Sequence, residues 1–344
     1  MMQEFGTPFT GRKLERLKAF LREGGLEYDD GVTFTVNLLD DAFGIMATGS
    51  LQDNTIKCLL VGERYQGEGL TGTLLTHLVN HAVQTGRQHL FLFTAPHNQL
   101  MFADFGFYEV ARTADVLLME NRRHGIRDFV ASLECPAKTG EIGAIVMNCN
   151  PFTLGHLYLI ETAAKQCDLV HVFILSEDKS AFPAANRLEM ARSGVAHLPN
   201  VVVHPTADYL ISSATFPTYF MKDRADASQV NCTLDFTIFR DCFAAPMGIR
   251  KRFVGTEPFC AVTNAYNRQM KVFFRGSGIE IVEIPRHTLG DTQVSASQVR
   301  RLLSRGREQE AFQLVPDSTR RFLQSRAGKE VIAKLGAVLK IQIL

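Results

Sequence analysis

Between residues 142 and 284 five short runs are apolar almost without a break: "GAIVMNC", "LVHVFIL", "NVVVH", "RFVG" and "IEIVEI". A strand with one wet face alternates apolar and polar residues. A run that stays apolar has both faces covered. Helical stretches separate these runs. In "GHLYLIETAAKQC", Ile160, Ala163, Ala164 and Cys167 follow i, i+3, i+4, i+7 spacing. Covered strands alternating with helices predict a parallel, doubly wound α/β sheet. In such sheets ligands bind at the carboxyl ends of the strands.

The chain before residue 136 has a different texture. "VTFTVNLL" alternates strictly, with Val32, Phe34, Val36 and Leu38 on one face and Thr33, Thr35 and Asn37 on the other, as expected of a half-buried strand. "FGIMATGSL" and "TIKCLLV" flank Gln52-Asp53-Asn54, a hairpin-type turn. This piece reads as an antiparallel-rich α+β module. "GIRDFVASLECPAKTGEIG" then supplies a short helix and a Pro/Lys/Thr/Gly link. A chain of 344 residues is long for one core. The expected domains are therefore 1–135 and 136–344.

Several function classes are disfavoured. Net charge is +1 with acids and bases intermixed, so no basic surface for nucleic acid is expected. No apolar run reaches membrane-spanning length, and the N-terminus lacks the apolar core of a secretory signal; no membrane partner is expected. The seven cysteines, Cys58, Cys135, Cys149, Cys167, Cys232, Cys242 and Cys260, are odd in number and form no C-x-x-C pair. That favours a reducing cytoplasm over a disulfide framework, and no metal site built by the chain is expected.

"GERYQGEGLTG" contains Gly67, Gly69 and Gly72, which alone would read as a dinucleotide fingerprint. The fingerprint needs a βαβ context and an acid ending the next strand. Here the preceding strands look antiparallel, and "HLFLFTA" ends in Thr94-Ala95-Pro96. The residues fit Arg64-x-x-Gly67-x-Gly69 before a helix better. With "HNQLMFADFGFYEV", holding Asn98, Phe102, Gly106 and Phe107, they resemble the acyl-CoA-dependent N-acetyltransferases (GNAT fold). The resemblance implies that Arg64, Gly67, Gly69, Gly72 and Asn98 bind a CoA-like arm, its pyrophosphate held by backbone amides at a helix start. Where that family often has a tyrosine acid, this chain has Phe102, which has no proton to give.

A second motif follows the first covered strand. In "CNPFTLGHLYLI", Thr153-Leu154-Gly155-His156 resembles the (H/T)-x-G-H signature of nucleotidyltransferases, in the Thr form of phosphopantetheine adenylyltransferase. Adenylyl transfer needs aligned groups and charge stabilisation at the α-phosphate rather than a covalent intermediate. Near the other end, Ser295, Ser297 and Arg300 in "VSASQVRRLL" resemble the S-x-S-x-x-R element of the same superfamily; hydroxyls and an Arg at a helix start suit a departing diphosphate. A plain serine cap on a basic helix would read the same way. The resemblance implies His156 and Thr153 as catalytic residues. It implies Asn150, Phe152, Gly155, Ser295, Ser297, Arg300 and Lys179 as ATP-binding, with Gly155 letting the nucleotide approach the backbone. In "SEDKSAFPAANRLEM", Lys179 and Arg187 either face the phosphates or belong to a solvated loop.

An acetyltransferase-like module joined to a T-x-G-H domain resembles the citrate lyase ligase family. "YLISSATFPTYFMKD", "LDFTIFRDCFAAPMGI", "RFVGTEPFCAVTNAYN" and "VEIPR" look like that family's stretches, and the likeness covers nearly the whole chain. It implies an acid–thiol ligase. Such an enzyme uses ATP, with Mg²⁺ held mainly by the phosphates, and acetate. It acetylates the thiol of the phosphoribosyl-dephospho-CoA group on the acyl carrier (gamma) subunit of citrate lyase, releasing AMP and diphosphate. An alternative is a nucleotidyltransferase for a phosphopantetheine-like or mononucleotide substrate, with a module that only binds. Glu257, Cys260, Tyr209, Ser212 and Thr215 are rim residues of the site or loop packing.

Overall fold

The computed structural model describes residues 1–178, 180–210, 232–256, 261–289 and 292–341. Lys179, Ser212, Thr215, Glu257 and Cys260 lie outside them. Two compact units are formed, one by Met1–Ala131 with 232–238 and one by 132–210 with 239–341.

The first unit contains strands β1 (Met2–Gly6), β2 (Phe34–Leu39), β3 (Ile45–Gln52), β4 (Thr55–Val61), β5 (Phe91–Thr94), β6 (Tyr108–Arg112) and β7 (Leu117–Glu120). They form one sheet in the order β1-β2-β3-β4-β5-β7-β6. Every pairing is antiparallel except β4 with β5. Helices α1 (Gly11–Glu23), α2 (Leu70–Gln84) and α3 (Gln99–Asp104) accompany the sheet, and α4 (Gly125–Ser132) follows it.

The strand expected to be half-buried is buried at all six positions of β2. Phe34, Val36 and Leu38 pack with Leu74, Leu75 and Leu78 of α2. The polar positions pair across the sheet: Thr35 Oγ1 lies 2.9 Å from Ser50 Oγ, and the Thr48 hydroxyl donates to Asn37 Oδ1 at 2.7 Å. Asn37 and Arg16 of α1 both donate to Glu4. Alternation correctly separates the two faces, but it cannot reveal that a polar face is covered once its groups satisfy one another.

A bulge shapes the middle of this sheet. Thr48 pairs with Leu60 and Ser50 with Lys57, so Gly49 faces both Cys58 and Leu59, and Cys58 takes φ 51°. Strand β4 pairs with β5 only at Thr55 and Ile56. The two parallel strands therefore part beyond Ile56.

The second unit contains β8 (Ile142–Met147), β9 (Leu169–Ile174), β10 (Val201–Pro205), β11 (Lys251–Gly255) and β12 (Glu280–Ile284). All five runs of the sequence are strands, and all pair in parallel in the order β10-β9-β8-β11-β12, but the edge strand β12 is not covered: Glu280 and Glu283 are exposed. Ile145, Met147, Val170, Val172, Ile174, Val203 and Phe253 face one core. That core also takes Ile160 and Ala163 of α5 (Leu154–Ala164), Met190 and Ala191 of α6 (Ala184–Gly194), and Val299, Leu302 and Leu303 of the Ala296–Ser304 helix. Strand order reverses between β8 and β11. The crevice of a doubly wound sheet opens at that point, beside the carboxyl ends of the strands.

Candidate active site

The T-x-G-H turn leaves β8 at this reversal. Thr153 is the N-cap of α5, with extended backbone at φ −123° and ψ 168°. Its Oγ1 accepts from the His156 backbone N–H at 3.4 Å. In return His156 Nδ1 accepts from the Thr153 backbone N–H at 3.0 Å and lies 2.9 Å from Thr153 Oγ1. This is a capping box in which a histidine takes the place of the usual acid. The Leu154 N–H is also taken, by the Leu314 carbonyl at 3.0 Å.

The box decides the chemistry of the imidazole. With Nδ1 accepting, the ring proton of the neutral form sits on Nε2. Burial pushes the His156 pKa down to about 4, and the charge of Arg286 adds to the effect. His156 at neutral pH is thus an uncharged donor with a fixed tautomer. Phe152, fully buried, holds the ring from one side at 5.9 Å between centroids and 15° between planes. Thr319 Oγ1 donates to the Phe152 carbonyl at 2.8 Å and fixes the turn from below.

The two sequence motifs meet here. Ser295 caps the Ala296–Ser304 helix by accepting from the Gln298 N–H at 3.2 Å, and its Oγ lies 3.1 Å from Ser297 Oγ. Arg300 donates to the Asn150 carbonyl. Asn150 is joined to Pro151 by a cis peptide bond, and its Oδ1 accepts from the Phe182 N–H at 3.0 Å. Thus Asn150, Phe152, Thr153, Gly155, His156, Ser295, Ser297 and Arg300 form one neighbourhood. Gly155 also has a structural reason: a Cβ there would stand 3.1 Å from the Val294 carbonyl oxygen, so the missing side chain lets the two motifs approach each other. Among the described residues no three His, Cys, Asp or Glu side chains converge as a metal site.

In the first unit the glycine loop also precedes a helix. Gly67 and Gly69 take φ of 85° and 74°, and an added Cβ at either would meet nothing within 4 Å. Gly69 is the N-cap of α2 and offers no side chain to its amides. Arg64 lies in a short 3-10 turn just before, exposed to solvent. Gly72 and Asn98 also have local structural roles. Gly72 lies inside α2, its N–H bonded to the Gly69 carbonyl at 3.1 Å, and its bare Cα makes room for the Phe105 ring. The Asn98 side chain donates to Thr94 Oγ1 at 2.9 Å and so holds the local turn. Phe102 is core, 4 % exposed.

Residues 142–323 match the family model described as citrate lyase ligase C-terminal domain. A protein of Escherichia coli K12 named [citrate [pro-3S]-lyase] ligase is 38% identical over 321 residues, covering 91% of both chains. The chain belongs to the citrate lyase ligase family. It is therefore an ATP-dependent ligase of the acid–thiol class. Two solved structures are similar in fold. An acyl-CoA N-acyltransferase of Pseudomonas aeruginosa is 16% identical, with 35% of this chain and 99% of that one covered and a TM-score of 0.31. A bifunctional NMN adenylyltransferase/ADP-ribose pyrophosphatase of Francisella tularensis is 16% identical, covering 59% and 55%, with a TM-score of 0.38.

The ligase also uses residues that the motifs do not mark. Arg187 of α6 is fully buried. It donates to the carbonyls of Phe182, Asn148, Leu175 and Glu177 at 2.9, 2.8, 2.8 and 2.6 Å, and to Asn148 Oδ1 at 2.6 Å. The reading in which it faces phosphates is excluded: it clamps the loops at the ends of β8 and β9. Arg286, in "VEIPR", acts on the His156 ring across a long sequence separation, and no local pattern announces it.

Proposed function

We propose that this ligase activates citrate lyase by first making acetyl-adenylate in its second unit. An acetate oxygen attacks the α-phosphorus of ATP. A C–O–P bond forms, the bond to the β-phosphate breaks, and diphosphate leaves. The observation that carries this reading is the neutral, tautomer-fixed His156: its Nε2–H is a donor for the α-phosphate oxygens as charge grows there. Thr153 positions the ring. Ser295, Ser297 and Arg300, beside the T-x-G-H turn, receive the departing diphosphate. Asn150, Phe152 and Gly155 shape the turn that the nucleotide lies against.

Mg²⁺ comes with the nucleotide and supplies charge neutralisation. A cation held by phosphates needs no carboxylate cage, so the residues present fit it. In the second step the thiol of the phosphoribosyl-dephospho-CoA group, on the acyl carrier subunit of citrate lyase, attacks the acetyl carbonyl. The thioester forms, AMP leaves, and the thiol proton passes to solvent. The Arg64 to Gly69 loop of the first unit holds the CoA-like arm through its backbone amides. No thiolate leaves in this direction, which is why Phe102 suffices in place of an acid. We place the enzyme in the cytoplasm, where its thiols stay reduced; among the described residues no helix is long and apolar enough to cross a membrane.

The test is acetate-dependent exchange of labelled diphosphate into ATP, without carrier. Exchange that requires acetate and disappears in His156→Ala supports the reading. Adenylyl transfer to a phosphate acceptor with no use for acetate, with or without carrier, overturns it.

A further inference from the structure

Inner positions of a parallel strand covered on both faces are ordinarily apolar. Arg252, the second residue of β11, departs from this: it is 2 % exposed. Its neighbour Phe253 points into the main core, so Arg252 lies on the opposite face, in register with Ala144 of β8 and Ile281 of β12. The guanidinium carbon lies 4.2 Å from the centre of the Phe239 ring. Nη2 donates to the Tyr266 hydroxyl at 3.2 Å. Nε and Nη1, both buried, donate to no group among the described residues. Among the described residues no carboxylate pairs with it. A cation–π contact and one neutral acceptor do not replace the water that a guanidinium gives up on burial. A buried cation kept at such a cost, with free N–H groups, is complementary to an anion.

Its place in the sheet says which anion. Strand β11 adjoins β8 at the reversal of strand order, and β8 carries the T-x-G-H turn at its carboxyl end. Tyr266 lies on the Ala261–Phe273 helix. The next residue, Asn267, donates its side-chain N–H to the Gly255 carbonyl at 3.1 Å, which brings this turn of helix to the carboxyl end of β11. Arg252 starts from the amino half of β11, and the hydroxyl it reaches belongs to the turn of helix seated at the strand's carboxyl end, on the crevice side of the guanidinium. We infer that Arg252 is the anchor for the carboxylate of the acid substrate, a role that rests on the acetate-activation reading. One carboxylate oxygen accepts from Arg252 and the other is left for attack on the α-phosphorus. The Phe239 ring and the Ala144 methyl form apolar walls beside it, and a site this enclosed favours an acid with a very small alkyl group. Arg252 is then a specificity-determining residue that touches substrate.

The experiment compares wild type, Arg252→Gln, Arg252→Lys and Tyr266→Phe in diphosphate–ATP exchange, each at varied acetate and varied ATP, with thermal melting as the control for folding. If the wild type exchanges only with carrier present, carrier acetylation replaces exchange as the readout. Arg252→Gln is expected to raise the KM for acetate about thirtyfold or more while leaving the KM for ATP within about twofold, since it removes a charged partner of the acid alone. Arg252→Lys should recover part of the loss. In the wild type, acetate alone should raise the melting temperature, and Arg252→Gln should abolish that rise. A folded Arg252→Gln with unchanged acetate KM overturns the inference while leaving acetate activation intact. If Arg252→Gln does not fold, Tyr266→Phe decides: a raised acetate KM supports the anchor, and an unchanged one refutes it. A wild-type enzyme that uses no acetate in either assay overturns the activation reading itself, and that result is seen before any variant is made.

Discussion

The two helix starts that carry the glycine motifs are built in opposite ways. At Gly67-x-Gly69 the cap is a glycine with positive φ, open space surrounds the backbone, and no side chain closes the amides of α2. At Thr153-x-Gly155-His156 the amides of Thr153, Leu154 and His156 are all taken, by His156 Nδ1, Leu314 O and Thr153 Oγ1. The first start presents bare N–H groups and a helix dipole, which suits an anion that is only held. The second has exchanged its amides for one oriented imidazole N–H, which suits an anion whose charge grows during reaction. A helix N-terminus is not one kind of site. On the roles proposed here, what caps it separates binding from catalysis.

The largest expected effect comes from removing the imidazole. His156→Ala should lower acetate-dependent exchange by about 10²–10³-fold, the usual loss for one preorganised donor to a developing oxyanion. His156→Gln, which keeps an N–H at comparable reach, should retain part of the rate. Equal loss in both variants would mean that the ring serves packing against Phe152. Next, Gly67→Arg places a long side chain where φ is 85° and the space is open. Carrier acetylation should fall about tenfold or more, as expected for losing an anion site of this kind, with exchange unchanged. Parallel loss of both steps would erase the proposed division between the two starts.

The third expectation concerns pH. Burial pushes His156 and His171 down to about 4, and His204, which also feels His171, to about 3. His171 Nδ1 and His204 Nε2 are 2.9 Å apart between β9 and β10. The unfolded chain protonates these rings near 6.5 and the folded chain only near 4 or below. Protons therefore favour unfolding in that window, and stability should fall as pH drops from 6.5 towards 4. Linkage predicts an uptake of about two to three protons on unfolding there, measurable from denaturant midpoints against pH. A flat profile across the window would show that the rings are solvated. Because His156 is already neutral, its own contribution to exchange should be level from pH 6 to 8.

Smaller effects sharpen the second start. Thr153→Ala removes the cap oxygen and should cost about 1 kcal/mol in denaturant unfolding. Exchange should fall less than in His156→Ala, because the Thr153 backbone N–H still holds Nδ1. Gly155→Ala sets a methyl 3.1 Å from the Val294 carbonyl and needs that backbone to yield by a few tenths of an ångström. A modest rise in the KM for ATP is expected, through displacement of the adjoining Ser295 helix. A drop as large as that of His156→Ala would instead mean that the nucleotide lies on Gly155 itself.

Much of this enzyme was legible in its residues, and the reasons are local. The inner strands β8 and β9 follow from nearly unbroken apolar runs, because a covered parallel strand has no wet face to encode. Ser295 as a helix start follows from what a serine hydroxyl can do to its own backbone. The burial of Thr35 and Asn37 was not legible, since their partners Ser50 and Thr48 lie on another strand. Nor was the inward turn of Arg187, whose acceptors lie up to 39 residues away. The Gly155 contact with Val294, the reach of Arg286 to His156 and the burial of Arg252 beneath Tyr266 are of the same kind. Sequence by itself determined which elements form and which atoms they present, because periodicity and capping act within a few residues. Tertiary structure alone decided which donors are already spent and which remain for a ligand, because a hydrogen bond between distant segments exists only once the sheet has brought them together.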